Sequence, residues 1–146
     1  MTAVIDASAL VAFCLNEEGL DREKFKEHLR NGVISIELIK AESANAILVA
    51  KRRLTIDEKI AKLSLGSMLE ISLTNIKMIP QDDELTSDAF ELGSQNNLAL
   101  YDLLYLSLAM RINGTLLSKD ESQIKLAKKL GIKVEDILKI DAVAGN

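Results

Sequence analysis

Carboxylates are the side chains of this sequence whose types and positions could do chemistry. The chain contains one cysteine, Cys14, and one histidine, His28. A single cysteine excludes an intrachain disulfide and a thiolate metal cluster. A single histidine in a charged stretch is a poor basis for a histidine metal site or a Ser-His-Asp triad. If the protein is an enzyme, carboxylates and hydroxyls must therefore carry its chemistry.

Asp102 stands out because it is the only charged residue in segment 98–110, which otherwise has the pattern of a core helix. Leu106 and Ala109, one and two turns further along, share its helical face. Burying an unpaired carboxylate costs on the order of several kcal/mol, so Asp102 needs a cation, hydrogen-bond donors or a solvent-filled cleft. The alternative is that Asp102 is the N-cap of this helix, and its position alone does not separate the two.

Asp6 and Asp120 each follow a short apolar pattern that predicts a strand. Asp6 ends the pattern at residues 2–5, and Asp120 follows the pattern at residues 115–118. If both segments are parallel strands of one sheet, both carboxylates emerge at its C-terminal edge, where open α/β sheets bind ligands. The alternative role of each is to cap the helix that follows it. Ser8 is predicted to be the N-cap of the first helix.

Glu42 lies inside the longest predicted helix, and Asn45 follows three residues later on the same face. From the residues alone, Glu42 is not distinguished from Glu37 or from an ordinary solvated glutamate.

Brought together, Asp6, Glu42, Asp102 and Asp120 would form a site for a hard divalent cation. Asp and Glu oxygens are preferred ligands of Mg²⁺ and Mn²⁺, and clustered carboxylates repel one another unless a cation lies between them. Such cations activate water and stabilise the attacking and leaving oxygens of a phosphoryl displacement. The cluster therefore predicts metal-dependent phosphoryl-transfer chemistry.

The elements that must position these acids alternate between strand and helix. Strands are predicted at residues 2–5, 33–35, 76–79, 115–118 and 132–134. Helices are predicted at residues 9–15, 21–30, 36–54, 55–72, 84–95, 100–113 and 121–130. A capping box from Thr55 to Glu58 is predicted to open the fourth helix. This alternation favours a three-layer α/β fold, with a small parallel sheet flanked by helices.

Composition bounds the class of protein. The 146 residues are 48% hydrophobic and only 3% aromatic, with a net charge of −4, which is typical of one globular domain with an aliphatic core. We predict a single domain over residues 1–140 and a frayed tail at 141–146. No apolar run reaches the ~20 residues of a membrane span and the N-terminus has no signal-peptide pattern, which indicates a cytoplasmic protein.

Four motifs follow one another in the order typical of a known family. They are Val4-Ile5-Asp6-Ala-Ser8, Ala41-Glu42-Ser-Ala-Asn45, Tyr101-Asp102-Leu-Leu-Tyr105 and Leu116-Leu-Ser118-Lys-Asp120. Through these motifs the chain, from about residue 2 to residue 137, resembles the PIN-domain nucleases. It is most similar to the small single-domain toxins of VapC-type toxin–antitoxin pairs. The resemblance implies a PIN-like fold.

The resemblance also implies an activity and a set of site residues. The activity is that of an endoribonuclease that depends on Mg²⁺ or Mn²⁺ and leaves a 3′-hydroxyl and a 5′-phosphate. The four family acids correspond to Asp6, Glu42, Asp102 and Asp120, which selects Glu42 over Glu37. Supporting hydrogen bonds would come from Ser8, Asn45 and Ser118, where Ser118 replaces the threonine of many members. We expect Asp6, Asp102 and Asp120 to hold one or two ions, with Glu42 as a ligand or a water-orienting group.

Partners follow from the same resemblance: an RNA substrate, a cognate antitoxin and a second copy in a homodimer. An antitoxin could block the acidic site with an inserted arginine. The acidic net charge is unusual for an RNA-binding protein. The candidate phosphate contacts are basic residues that could equally form solvated helix faces: Lys51, Arg52, Arg53, Lys125, Lys128, Lys129 and Lys133.

Other functions remain open at this point. The chain could be a catalytically inactive PIN-fold protein or RNA-binding module, or a nuclease of RNA maturation rather than a toxin. A phosphatase with Asp6 as nucleophile is disfavoured, because haloacid-dehalogenase-type enzymes usually have a second Asp where Ser8 stands. A nucleotide-binding loop is disfavoured because the glycines are isolated.

Overall fold

The computed structural model describes residues 2–138 of the chain, so the tail predicted at 141–146 lies outside the described residues. Strands and helices alternate along this range as the sequence predicts. The strands are β1 (Ala3–Ile5), β2 (Val33–Ile36), β3 (Ile76–Ile79), β4 (Thr115–Leu117) and β5 (Lys133–Val134). The helices are α1 (Ala7–Cys14), α2 (Arg22–Asn31), α3 (Leu38–Arg52), α4 (Glu58–Thr74), α5 (Asp83–Gln95), α6 (Leu100–Ile112) and α7 (Glu121–Lys129).

All five described strands are parallel and form one sheet in the order β3-β2-β1-β4-β5. The chain builds outwards from β1 through β2 to β3, then returns across the sheet to place β4 on the other side of β1. In register, Val4 of β1 pairs with Ile34 on one side and with Leu116 on the other. The strand order therefore reverses beside β1, which is the position where parallel α/β sheets bind ligands. The predicted three-layer α/β fold is confirmed.

The core is aliphatic, and β1, β4 and α6 lie at its centre. Every residue of β1 and β4 is buried, as is the stretch Leu103–Ala109 of α6. This burial explains why α6 is almost uniformly apolar, since it packs against β1, β2 and β4 as well as against α5 and α7. On another side, α1, α3 and α4 pack on one another. None of the helices described here is both long and apolar enough to cross a membrane.

Two predicted caps are wrong. Ser8 lies inside α1, and the N-cap is Asp6, whose carboxylate accepts a hydrogen bond from the Ala9 amide at 3.0 Å. Asp6 takes this position because β1 leads directly into α1 without a turn. The predicted capping box at Thr55 is also wrong, because α4 begins three residues later with Asp57 as its N-cap, which accepts from the Ile60 amide at 2.8 Å.

Candidate active site

One cavity, of about 370 Å³, is lined by all four predicted acids. Asp6 follows β1, Asp120 precedes α7, Glu42 lies on α3, and Asp102 lies in the first turn of α6. Because β1 and β4 are neighbours, the residues that follow them meet at one edge of the sheet. Glu42, and not Glu37, is the α3 glutamate of the lining, and Glu37 is exposed. The other lining residues are Ala7, Ser8, Val11, Glu17, Ala46, Tyr105 and Lys119.

Asp6 is the most buried of these acids, with 3% of its surface exposed. Its Oδ1 accepts hydrogen bonds from the Ser8 hydroxyl (2.7 Å) and the Ala9 amide (3.0 Å), and its Oδ2 accepts one from the Gln123 side-chain amide (2.8 Å). Burial raises the pKa of Asp6 from 3.8 to about 6, although the hydroxyls of Ser118 and Ser8 and the Ala9 backbone amide favour its charged form. Asp6 therefore both caps a helix and presents a carboxylate to the cavity.

Asp102 is the third residue of α6, so the alternative prediction that it caps this helix is wrong. The residue before the helix is Ala99, which makes no side-chain cap. Asp102 is half-buried, and no hydrogen bond to its carboxylate is found among residues 2–138. Its pKa is raised by partial burial and then by the negative charges of Asp120 and Glu42. The carboxylates of three separate segments therefore repel one another across the cavity.

Asp120 and Glu42 are each held by one hydrogen bond to a single oxygen. Asp120 caps α7 through Oδ1, which accepts from the Gln123 backbone amide at 3.0 Å. Oε1 of Glu42 accepts from the Tyr105 hydroxyl at 2.5 Å. Neither of these bonds uses the second oxygen of its carboxylate. Asp120 can therefore cap α7 and also present an oxygen to the cavity.

Two of the predicted supporting residues link the ends of β1 and β4. The Ser8 hydroxyl accepts a hydrogen bond from the Lys119 backbone amide at 2.8 Å and lies 3.3 Å from the Ser118 hydroxyl. Ser118 is buried and accepts from the Asp120 amide at 3.1 Å. The third, Asn45, is exposed on α3 and does not line the cavity.

The predicted phosphate contacts all lie outside the lining of the acidic cavity. Lys51 forms a 3.6 Å ion pair with Glu58, and Arg52 and Arg53 are exposed beside it at the end of α3. The lysines of α7 and β5 line other grooves: Lys125 and Lys129 line one, Lys128 another, and Lys133 a third. Contact between these residues and RNA stays a prediction.

Three polar residues of the site were not predicted from the sequence. Tyr105 lies three residues after Asp102 in the largely apolar helix α6, and that spacing places both on one face. Gln123 lies three residues after Asp120 and is 1% exposed, and its Oε1 has no hydrogen-bond partner among the described residues. Lys119 pairs with Glu17 at the cavity, and no local pattern indicates this pair because the two residues are far apart in the chain.

The donor chemistry of the cavity fits a hard divalent cation. Burial raises the pKa of Asp102, and the negative charges of Asp120 and Glu42 raise it further; a cation between these carboxylates would relieve their repulsion. Among residues 2–138, no three His, Cys, Asp or Glu side chains converge closely enough to ligate one ion together. A full protein cage is not required, because Mg²⁺ keeps several waters and commonly uses one or two carboxylates with substrate phosphate. Asp102 and the second oxygen of Asp120 offer such ligands.

Comparison with known proteins agrees with this geometry. Residues 3–129 match the family model of the PIN domain. Ribonuclease VapC3 from Pyrobaculum aerophilum is 29% identical over 129 residues, which are 88% of this chain and 95% of that protein. The structure of PAE2754 from Pyrobaculum aerophilum is similar with a TM-score of 0.66 and 22% identity, over 92% of this chain and 90% of that one. VapBC-5 from Mycobacterium tuberculosis, a member of the VapBC family of toxin-antitoxin systems, has a TM-score of 0.60 and 18% identity, over 95% and 100% of the two chains. At these identities the two structures support the fold alone.

Proposed function

Since this chain belongs to the PIN domain family, we propose that it is a divalent-metal-dependent endoribonuclease that acts as the toxin of a toxin–antitoxin pair. The observation that carries this proposal is the single cavity lined by Asp6, Glu42, Asp102 and Asp120. A matched relative named as a ribonuclease supports RNA as the substrate.

Asp6, Asp102 and Asp120 are the proposed ligands of one or two Mg²⁺ or Mn²⁺ ions. Because no three acidic side chains of residues 2–138 converge on one point, water and substrate phosphate would complete the coordination of each ion. A bound ion would lower the pKa of a water molecule and offset the charge that develops on the phosphate oxygens. The Ser8 hydroxyl and the Ala9 amide hold Asp6 in place. Tyr105 holds Oε1 of Glu42, which leaves Oε2 to orient the attacking water.

The test is incubation of the full-length protein with a mixed RNA pool in Mn²⁺, in Mg²⁺ and in EDTA, with mapping of the cut ends. We expect internal cuts that need the ion and leave a 5′-phosphate and a 3′-hydroxyl. The Asp102→Asn variant, purified identically, controls for contaminating nucleases and should be inactive with an unchanged circular dichroism spectrum. Equal cleavage by this variant would refute the site assignment. Binding of RNA without cleavage in either ion would favour an inactive RNA-binding module.

The toxin role needs a cognate antitoxin, and we propose that this partner inserts a basic side chain into the acidic cavity. The same proposal includes a homodimer as the active form. Expression of the chain alone should arrest growth, and coexpression with the product of an adjacent reading frame should restore it. Cleavage in vitro without growth arrest would favour a nuclease of RNA maturation. A complex that leaves the acidic cavity open would refute the inserted side chain.

A further inference from the structure

The acidic cavity contains a cation that the proposed chemistry has not used. Nζ of Lys119 lies 2.5 Å from Oε2 of Glu17, and both residues belong to the cavity lining. Lys119 is the only basic residue among those lining residues. Its side chain is 29% exposed and that of Glu17 is 39% exposed, so solvent reaches the ion pair.

The two partners are anchored differently. The Lys119 backbone is fixed between buried Ser118 and the N-cap residue Asp120, and its amide donates to Ser8. Glu17 lies in the turn that follows α1. Because the Lys119 backbone is fixed and its side chain is long and flexible, the ammonium can exchange partners while the backbone stays beside the acids.

Charge explains why an exchange is needed. Within the part of the chain that the structure describes, five carboxylates and one ammonium line the cavity, so one divalent ion leaves this lining net negative. A phosphodiester approaching this lining is therefore repelled unless a positive group receives it. Lysine binds phosphate as a compact point charge, and a partly exposed ion pair is weak enough for a phosphate to replace one partner.

We propose that Lys119 binds a backbone phosphate of the RNA next to the cleavage site, and that Glu17 holds the ammonium until the phosphate replaces it. This proposal rests on the ribonuclease function proposed above. It assigns Glu17 an opposing role, since Glu17 competes with RNA for Lys119. If the ion pair were purely structural, replacing either residue would change RNA affinity in the same direction.

The experiment separates these cases with two single variants in an Asp102→Asn background, which prevents cleavage. RNA affinity is measured by fluorescence anisotropy across a salt series with a labelled single-stranded RNA. Lys119→Gln should weaken binding by about tenfold and reduce the slope of log affinity against log salt by about 0.7, the value for one lost phosphate contact. Glu17→Gln should strengthen binding by about threefold. The exposed pair Lys26–Glu23 on α2 provides matched controls, and Lys26→Gln and Glu23→Gln should each leave the affinity unchanged.

A second measurement follows Mn²⁺ binding without RNA, by electron paramagnetic resonance, in chains that keep Asp102. Removing a positive charge beside the acids should tighten Mn²⁺ binding in Lys119→Gln, whereas Glu17→Gln should weaken it. The proposal is overturned if both variants shift RNA affinity in one direction, or if Lys119→Gln leaves the affinity and salt slope unchanged. If the parent chain cleaves RNA with Mn²⁺ while Lys119→Gln behaves like the controls, only this inference fails. If the parent chain neither binds nor cleaves RNA, the proposed function fails as well.

Discussion

Replacing Asp6 with asparagine should stabilise the metal-free protein while it removes activity. Burial raises the pKa of this carboxyl from 3.8 to about 6. At about 1.4 kcal/mol for each pKa unit, the folded state holds a charged Asp6 at a cost of about 3 kcal/mol above pH 6. Asparagine carries no charge, and its Oδ1 can accept the same hydrogen bonds from Ser8 and the Ala9 amide. Its Nδ2 can donate to Oε1 of Gln123, the buried acceptor without a partner among the described residues, once the Gln123 amide rotates.

The sign of the pH dependence follows from proton binding. Because the folded chain holds the Asp6 proton more tightly than the unfolded chain does, the contribution of Asp6 to stability is greatest below about pH 4. It falls as the pH rises to about 6 and stays low above that. The hydrogen bonds from Arg111 lower the pKa of Asp82 to about 2. The contribution of Asp82 to stability is therefore lost only as the pH falls below about 4, outside the range in which Asp6 titrates. The free energy of unfolding of Asp6→Asn should therefore equal that of the wild type near pH 4 and exceed it by about 1–3 kcal/mol at pH 7.5.

The assay is urea unfolding in EDTA at about pH 4, 5, 6 and 7.5. Asp57→Asn is the matched control, because Asp57 caps α4 in the same way but is exposed, and it should shift stability little at any pH. Saturating Mn²⁺ should stabilise the wild type, by about 2.7 kcal/mol at a hundredfold excess over Kd, and leave Asp6→Asn unchanged. An Asp6→Asn variant that is less stable than the wild type at pH 7.5 would refute this reasoning.

Three further predictions concern other parts of the chain. Tyr105→Phe removes the hydrogen bond to Glu42 and should lower kcat for RNA cleavage about tenfold, or about 1.4 kcal/mol, with KM unchanged. The exposed Tyr101→Phe is its control, and equal kcat in the two variants would contradict the positioning role. Substituting glutamine for Lys51, Arg52 and Arg53 in one triple variant should reduce the slope of log RNA affinity against log salt by about two if all three residues contact phosphate. An unchanged slope excludes that role. Gly114→Ala places a Cβ 2.8 Å from the Thr2 carbonyl oxygen and should destabilise the fold by about 1–3 kcal/mol in urea unfolding. A Cβ added at Gly66 has no other atom within 4 Å, so Gly66→Ala should stabilise α4 by about 0.5–1 kcal/mol. If Gly114→Ala and Gly66→Ala changed stability in the same direction, the packing argument would be contradicted.

The sequence indicates much of the site because its acids interrupt apolar patterns. Asp6 and Asp120 end short buried strands, so a parallel sheet brings them to one edge. Asp102 is conspicuous as the only charged residue of segment 98–110, and its position beside the cavity, where it is only partly buried, explains how the core helix accommodates it. Glu42 required the family resemblance, because a glutamate on a partly exposed helix has no local signal that separates it from Glu37.

The rest depends on contacts between distant segments. The strand order, the hydrogen bond from Tyr105 to Glu42 and the ion pair of Lys119 with Glu17 all join residues that no local spacing relates. The caps at Ser8 and Thr55 were predicted wrongly because an aspartate lies two residues before Ser8 and another lies two residues after Thr55, and in each case the aspartate is the cap. Hydroxyl and carboxylate caps have similar preferences, and only the exact end of the preceding strand or turn decides between them.

The order of the strands also determines when the cavity is completed during protein synthesis. The central strand has a neighbour that the ribosome makes late, since residue 3 pairs with residue 115. A growing chain that stops short of this point already contains Asp6, Glu42 and Asp102 but lacks the strand that brings Asp120 beside them. The long loop that must close before this pairing forms also makes it a slow contact. The acidic cavity is therefore complete only on chains that have been synthesised past Asp120.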